Sequence, residues 1–162
     1  MPTLSQTVKD ELVRYYRHLA GRVERAVRAL PAEKLWVKPF AFGNSVGHLV
    51  LHLIGNLNHY IGAGMAGTGY VRNRPLEFTD PSHPPGPELL RRFHEAVDLV
   101  VRTIETMSEE DLMRPAADAD RHPIETRFGM LLVCAAHLNN HIGQMAYLVQ
   151  AHGHSTQEPP VW

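Results

Sequence analysis

Apolar residues recur at intervals of three and four over four long stretches of the chain, the period of an amphipathic helix. In the first, Val8, Leu12, Tyr15, Tyr16, Leu19, Val23, Ala26, Val27 and Leu30 keep the period, and Pro31 and the Pro39 region end it. The second runs from about Asn44, a residue suited to an N-cap, to about Ala66. The third follows Pro87, a favoured first-turn residue, with Leu89, Leu90, Phe93, Val97, Val100, Val101, Ile104 and Met107 on one face. The fourth runs from about Glu125 to about His152, with Leu131, Cys134, Leu138, Ile142, Met145 and Val149 facing inward and Gly153 as a C-terminal stop. No stretch alternates as a half-buried strand does. The pattern predicts an all-α four-helix bundle formed by one domain over residues 1–162.

The connections are uneven. Residues 67–87, GTGYVRNRPLEFTDPSHPPGP, are long and rich in glycine and proline, and read as a crossover or functional loop between the second and third helices. SEEDLM at 108–113 reads as a short helix capped by Ser108.

Composition narrows the function classes. At 44% hydrophobic and 20% charged residues, the 162-residue chain suits a globular domain, and a net charge of −1 offers nothing to nucleic acid or an anionic membrane surface. The most apolar region, 46–61, is broken by His48, His52, Asn56, Asn58 and His59, so it is no membrane span. MPTLSQTVKDELVRYY lacks the apolar run of a signal peptide, and the single cysteine, Cys134, can form no intramolecular disulfide. These features together lead us to expect a cytoplasmic protein. The eleven histidines are the unusual element.

Two groups of them share helix faces. In HLNNHIGQM, His137 and His141 stand one turn apart, the spacing with which a helix gives two ligands to one metal ion. By helical phase the pair lies at the border of the buried face, which equally suits two histidines hydrogen-bonded to neighbours. In NSVGHLVLHLIGNLNHYIG, His48, His52 and His59 fall on one stripe, flanked by the small residues Gly55, Gly62 and Ala66 and well away from the main apolar stripe. A solvated polar face would look like this. Small residues also permit close approach by a helix or ligand, and a histidine from here facing the pair would complete a three-histidine site with an open coordination position, as catalytic sites have. Cys134, three residues before His137, lies deep in the apolar stripe and reads as core. HEAVD at 94–98 has Asp98 where a zinc-protease motif needs its second histidine.

With those residues in view, the chain resembles the DinB-like superfamily of small metal-dependent four-helix-bundle enzymes. The resemblance covers most of the sequence and is carried by NSVGHLVLHLIGN, by RNRPLEF in the long loop, and most specifically by AAHLNNHIGQMAYLVQAHG. It implies a metal triad made of one histidine from the second helix and a His-x-x-x-His pair from the last, followed by Gly-Gln. That pair is His137 and His141, followed by Gly143 and Gln144. The helix-two ligand matches His52 better than His48, which lies on the same stripe one turn earlier. Members similar to this chain include thiol S-transferases, a mycothiol-dependent isomerase and metal-dependent hydrolases, and many pair as homodimers.

The resulting expectation is an enzyme holding a divalent transition metal, zinc or nickel, on His52, His137 and His141. It would activate a low-molecular-weight thiol for transfer to a small-molecule substrate. Hydrolysis through activated water is the alternative, with His48, His59 and Gln144 as the nearest polar side chains for proton transfer. A non-enzymatic metal-binding helical dimer is the third reading. A homodimer is also expected because apolar and small residues occupy more than one face of the second helix.

Overall fold

A computed structural model describes residues 1–156. The elements are α1 (Leu4–Arg28), α2 (Val46–Leu57), the short α3 (Leu76–Thr79), α4 (Gly86–Thr106), the short α5 (Glu109–Met113) and α6 (Arg127–Ala151). Among the described residues there is no strand, only an isolated bridge between Pro115 and Thr126. The four long helices form a ring in which α1 and α2 each pack against both α4 and α6, while α1 and α2 stand diagonally. This is the expected all-α bundle.

The helix ends follow capping chemistry. Thr3, Ser108 and Thr126 each cap with a side-chain oxygen, and Ser108 closes a reciprocal capping box with Asp111. Pro87 occupies the first turn of α4, and Gly153 adopts φ +81° just beyond α6. The cap of α2 is Ser45, not Asn44: its Oγ accepts from the backbone N–H of His48 at 3.2 Å, so the helix starts one residue later than expected.

The second helix departs further from a regular α-helix. Asn58–Ala63 continue α2 as a π-helical segment. Asn58 Nδ2 donates to the Ile54 carbonyl at 2.9 Å, covering one acceptor at the transition. Wider turns change the angular step, so phase arithmetic carried from His52 to His59 fails across this point.

The core runs the length of the bundle. Tyr16, Leu19, Phe93, Leu131 and Leu138 are fully buried, each such side chain contributing about 1.5–3 kcal/mol of transfer free energy. Tyr16 keeps its hydroxyl satisfied by donating to the Leu131 carbonyl at 2.7 Å, tying α1 to α6. All twelve residues of α2 are buried. His48 and His52 therefore do not lie on a solvated face. Two glycines make this possible: a Cβ at Gly47 would lie 2.6 Å from the Trp36 ring, and one at Gly55 would collide with the Glu77 carboxylate. Large side chains thus lie directly on the backbone of α2.

No helix of the described residues is long and apolar enough to cross a membrane.

Candidate metal centre

His52 projects from the middle of α2, and His137 and His141 from adjacent turns of α6. Their ring centroids stand 4.4 to 5.1 Å apart, and one ligand nitrogen from each lies within 4.8 Å of the others. His52 Nε2 and His137 Nε2 face each other at 2.9 Å. Two nitrogens on a tetrahedral zinc stand about 3.4 Å apart, given bonds of about 2.0–2.1 Å. The triad is therefore close to ligand spacing.

The outer nitrogens fix the tautomers. His52 Nδ1 donates to Glu77 Oε2 at 2.7 Å, and His141 Nδ1 donates to Gln144 Oε1 at 2.8 Å. Each bond leaves the corresponding Nε2 with its lone pair directed inward, the arrangement that orients metal-binding histidines. A proton shared between His52 and His137 can account for their contact. Nothing accounts for His141 Nε2, which is buried without a partner. A cation at the centre would satisfy all three nitrogens, so the donor set fits a divalent ion.

The electrostatics favour the neutral forms of His137 and His141. Burial lowers the His137 pKa to about 4, assisted by the neighbouring His141, His52, Arg72 and His122. Burial also lowers that of His141, against the opposing effect of its hydrogen bond to Gln144. Neutral imidazole is the form that binds metal.

Glu77 is the residue that helical spacing could not place. It comes from α3, inside the long connection between α2 and α4, and is 6% exposed. Arg72 donates to it twice, from Nε at 2.6 Å and from Nη2 at 3.0 Å. Burial pushes the Glu77 carboxyl up, but the bonds from His52 and Arg72 and the Arg72 charge outweigh it and hold the pKa below the usual value. The carboxylate stays ionised behind His52. Two signals point to it: RNRPLEF holds both Arg72 and Glu77, and Gly55 marks a close approach.

The other histidines of the second helix go elsewhere. His48 is buried one turn before His52. Its Nδ1 lies 2.7 Å from Ser45 Oγ, and its ring makes edge contacts with Trp36 and with His83, which stacks on Trp36. His59, displaced by the π-helical turn, meets Asp118 at 3.4 Å. Of the three side chains considered for proton transfer, Gln144 alone touches the triad. Cys134 is buried, and desolvation pushes its thiol up to about 12, so it stays protonated beside the histidines.

A cavity of about 210 Å³ opens beside His52 and His137, bounded by Asn56, Tyr60, Arg72, Arg74, His122 and Cys134. A larger and more apolar groove of about 580 Å³ lies beyond Gln144, lined by Phe40, Phe42, Tyr147 and Leu148.

An all-α bundle in which three histidines converge, two of them oriented from behind, fits a metal-binding role. A sequence profile of the DinB superfamily matches residues 15–145, and the chain belongs to that superfamily. No curated protein matches the chain at a significant level.

Proposed function

We propose that this protein is a metal-dependent enzyme in which His52, His137 and His141 hold a divalent transition metal, zinc or nickel, and which transfers a low-molecular-weight thiol to a small-molecule electrophile. The observation that carries the reading is the inward convergence of three imidazole nitrogens, with His52 oriented from behind by Glu77 and His141 by Gln144. When bound, a divalent ion lowers the pKa of a thiol or water that it coordinates. The chain's own residues supply the rest: Arg72 and Glu77 lock the His52 ring, Gln144 locks His141, and the neighbouring cavity admits a small molecule.

The choice of thiol transfer over hydrolysis rests on Glu77. The long loop does bring a carboxylate to the triad, but its oxygens are engaged by His52 and Arg72. A general base must be available to take a proton from water, whereas a thiolate attacks without one. Titrating the cobalt-loaded protein with cysteine is expected to produce a sulfur-to-metal charge-transfer band, and an aryl chloride should be consumed only while the thiol is present. Thiol-independent ester turnover that disappears in His141→Ala would replace this reading with a hydrolase.

A homodimer in the cytoplasm completes the proposal. The faces of the second helix no longer support the dimer, because Trp36, Glu77 and the neighbouring helices cover α2 within one chain. Support comes instead from Phe40 and Phe42, stacked at 5.6 Å and exposed beside the exposed Tyr147. An 18 kDa species alone in sedimentation at micromolar concentration would refute it.

A further inference from the structure

The cavity beside the triad has a chemistry of its own. Asn56, 6% exposed, lines it, and its Oδ1 is buried with no hydrogen-bond partner. An orphaned buried acceptor costs free energy in the folded chain unless something donates to it. His122 Nε2, on another residue that lines the cavity and against Tyr60 at a ring distance of 5.2 Å, is likewise buried and unpartnered. Both atoms belong to residues bounding one space, so one ligand can satisfy both.

The charges specify that ligand further. Two arginines border the cavity, and among the described residues no carboxylate does. Arg72 is neutralised by Glu77, through Nε and Nη2. Arg74, held over the Phe78 ring at 5.6 Å, is the surplus positive charge. Apart from the ion proposed for the triad, one surplus side-chain charge suits a monoanion. The volume, about 210 Å³, is the space of roughly seven waters at about 30 Å³ each, which limits the occupant to a handful of heavy atoms.

We propose that this cavity binds a small hydroxy-carboxylate, its hydroxyl donating to Asn56 Oδ1 and its carboxylate accepting from Arg74 and His122. The inference deepens the metal-dependent reading by naming the class of small molecule seated next to the triad, and depends on that reading only for what is done to it. Asn56 and Arg74 become specificity-determining residues, outside the ligand set.

Calorimetric titration of the zinc-loaded protein with β-hydroxypropionate and with propionate tests this, with zinc content measured for each protein. The wild type is expected to prefer the hydroxy acid by roughly tenfold, the worth of filling an unsatisfied buried acceptor. Asn56→Leu should retain zinc, melt no lower than the wild type because the orphan acceptor is gone, and lose the preference. Asn56→Ala should lose the preference as well, which guards against a packing fault in the leucine variant. Arg74→Gln should weaken both acids several-fold by a similar factor and leave the preference intact. Equal affinity of the wild type for the two acids, or a preference that survives both Asn56 variants, would overturn the proposal. A wild type that keeps the preference but holds no zinc would uphold the pocket and overturn the metal reading.

Discussion

His48 and His52 sit one turn apart on α2, are about equally buried, and each is close to a glycine that lets a large side chain rest on the backbone. Their surroundings differ completely. At His52, Gly55 admits Glu77, and the imidazole is fixed from behind by a carboxylate while its other nitrogen faces α6. At His48, Gly47 admits Trp36, and the imidazole is bonded to the helix's own N-cap and packed against aromatic rings. The same residue on the same stripe is a candidate ligand in one place and a packed core group in the other. What decides is the partner that arrives across the groove. A carboxylate acceptor behind the ring turns its lone pair outward toward a shared centre, whereas an aromatic wall leaves nothing for a cation to bridge.

The largest expected effect separates the two directly. His52→Ala, His137→Ala and His141→Ala should each abolish stoichiometric zinc binding while the far-ultraviolet helical signal persists, and His48→Ala should retain full zinc. Metal analysis after reconstitution checks all four. Full occupancy in His52→Ala would dissolve the distinction, as would loss of metal from His48→Ala in a folded protein.

Much of the His52 environment is legible in the amino-acid sequence. The period of three and four places four helices, the His137–His141 spacing puts two nitrogens on one face, and the small residues of α2 announce a close approach. Three things are not legible there. Stripe arithmetic treats the second helix as regular, so it does not foresee the π-helical turn that sends His59 to Asp118. Periodicity identifies a face but not what covers it, so His48 and His52 look interchangeable without the positions of Trp36 and Glu77. Glu77 itself lies in a Pro-rich connection with no period, and only the tertiary fold brings it to within 2.7 Å of His52, 25 positions away in sequence. Asn56 and His122 give no sequence signal for a related reason: an unsatisfied atom is a property of the packed state.

A middle-sized effect isolates the carboxylate. Glu77→Gln keeps the shape but weakens the acceptor behind His52 and the ion pair with Arg72, and should lower zinc affinity by about 10–100-fold, the usual cost of losing the group that orients a ligand histidine. Competition with a chromogenic chelator reads this out. Unchanged affinity would mean that Glu77 serves the fold alone.

The glycines give a smaller and more discriminating pair. Gly55→Ala and Gly47→Ala both force a large side chain off the helix, and overpacking of this kind costs about 1–3 kcal/mol. Thermal unfolding should register both. Only Gly55→Ala should also reduce zinc affinity, because the displaced group is the one that holds His52. Equal loss of affinity in the two variants would show that the whole helix shifts as a body.

The smallest effect concerns protons at His48. Burial lowers its pKa, as do Lys38 and His83, while Asp80 acts in the opposite sense. His137 and His141 are lowered too. For each of these groups the unfolded chain, with a reference pKa of about 6.5, binds more protons than the folded one at pH values just below that reference. Stability of the metal-free protein must therefore fall as pH drops from about 6.5, and the fall due to His137 continues to about pH 4. His48→Gln removes one of the three contributions and should make the fall shallower without removing it. The zinc-loaded protein should show at least as much of the triad's share, because the ion keeps protons off His137 and His141 in the folded state while the unfolded chain still takes them up. The His48 share persists in both forms, since its ring is bonded to Ser45 rather than to the centre. Urea unfolding between pH 7 and pH 5, with and without zinc, checks the difference. A His48→Gln slope identical to wild type in both forms would mean that the imidazole at this end of the stripe takes up its proton in the folded state as readily as in the unfolded chain, and that the packing around Trp36 does not exclude its charge.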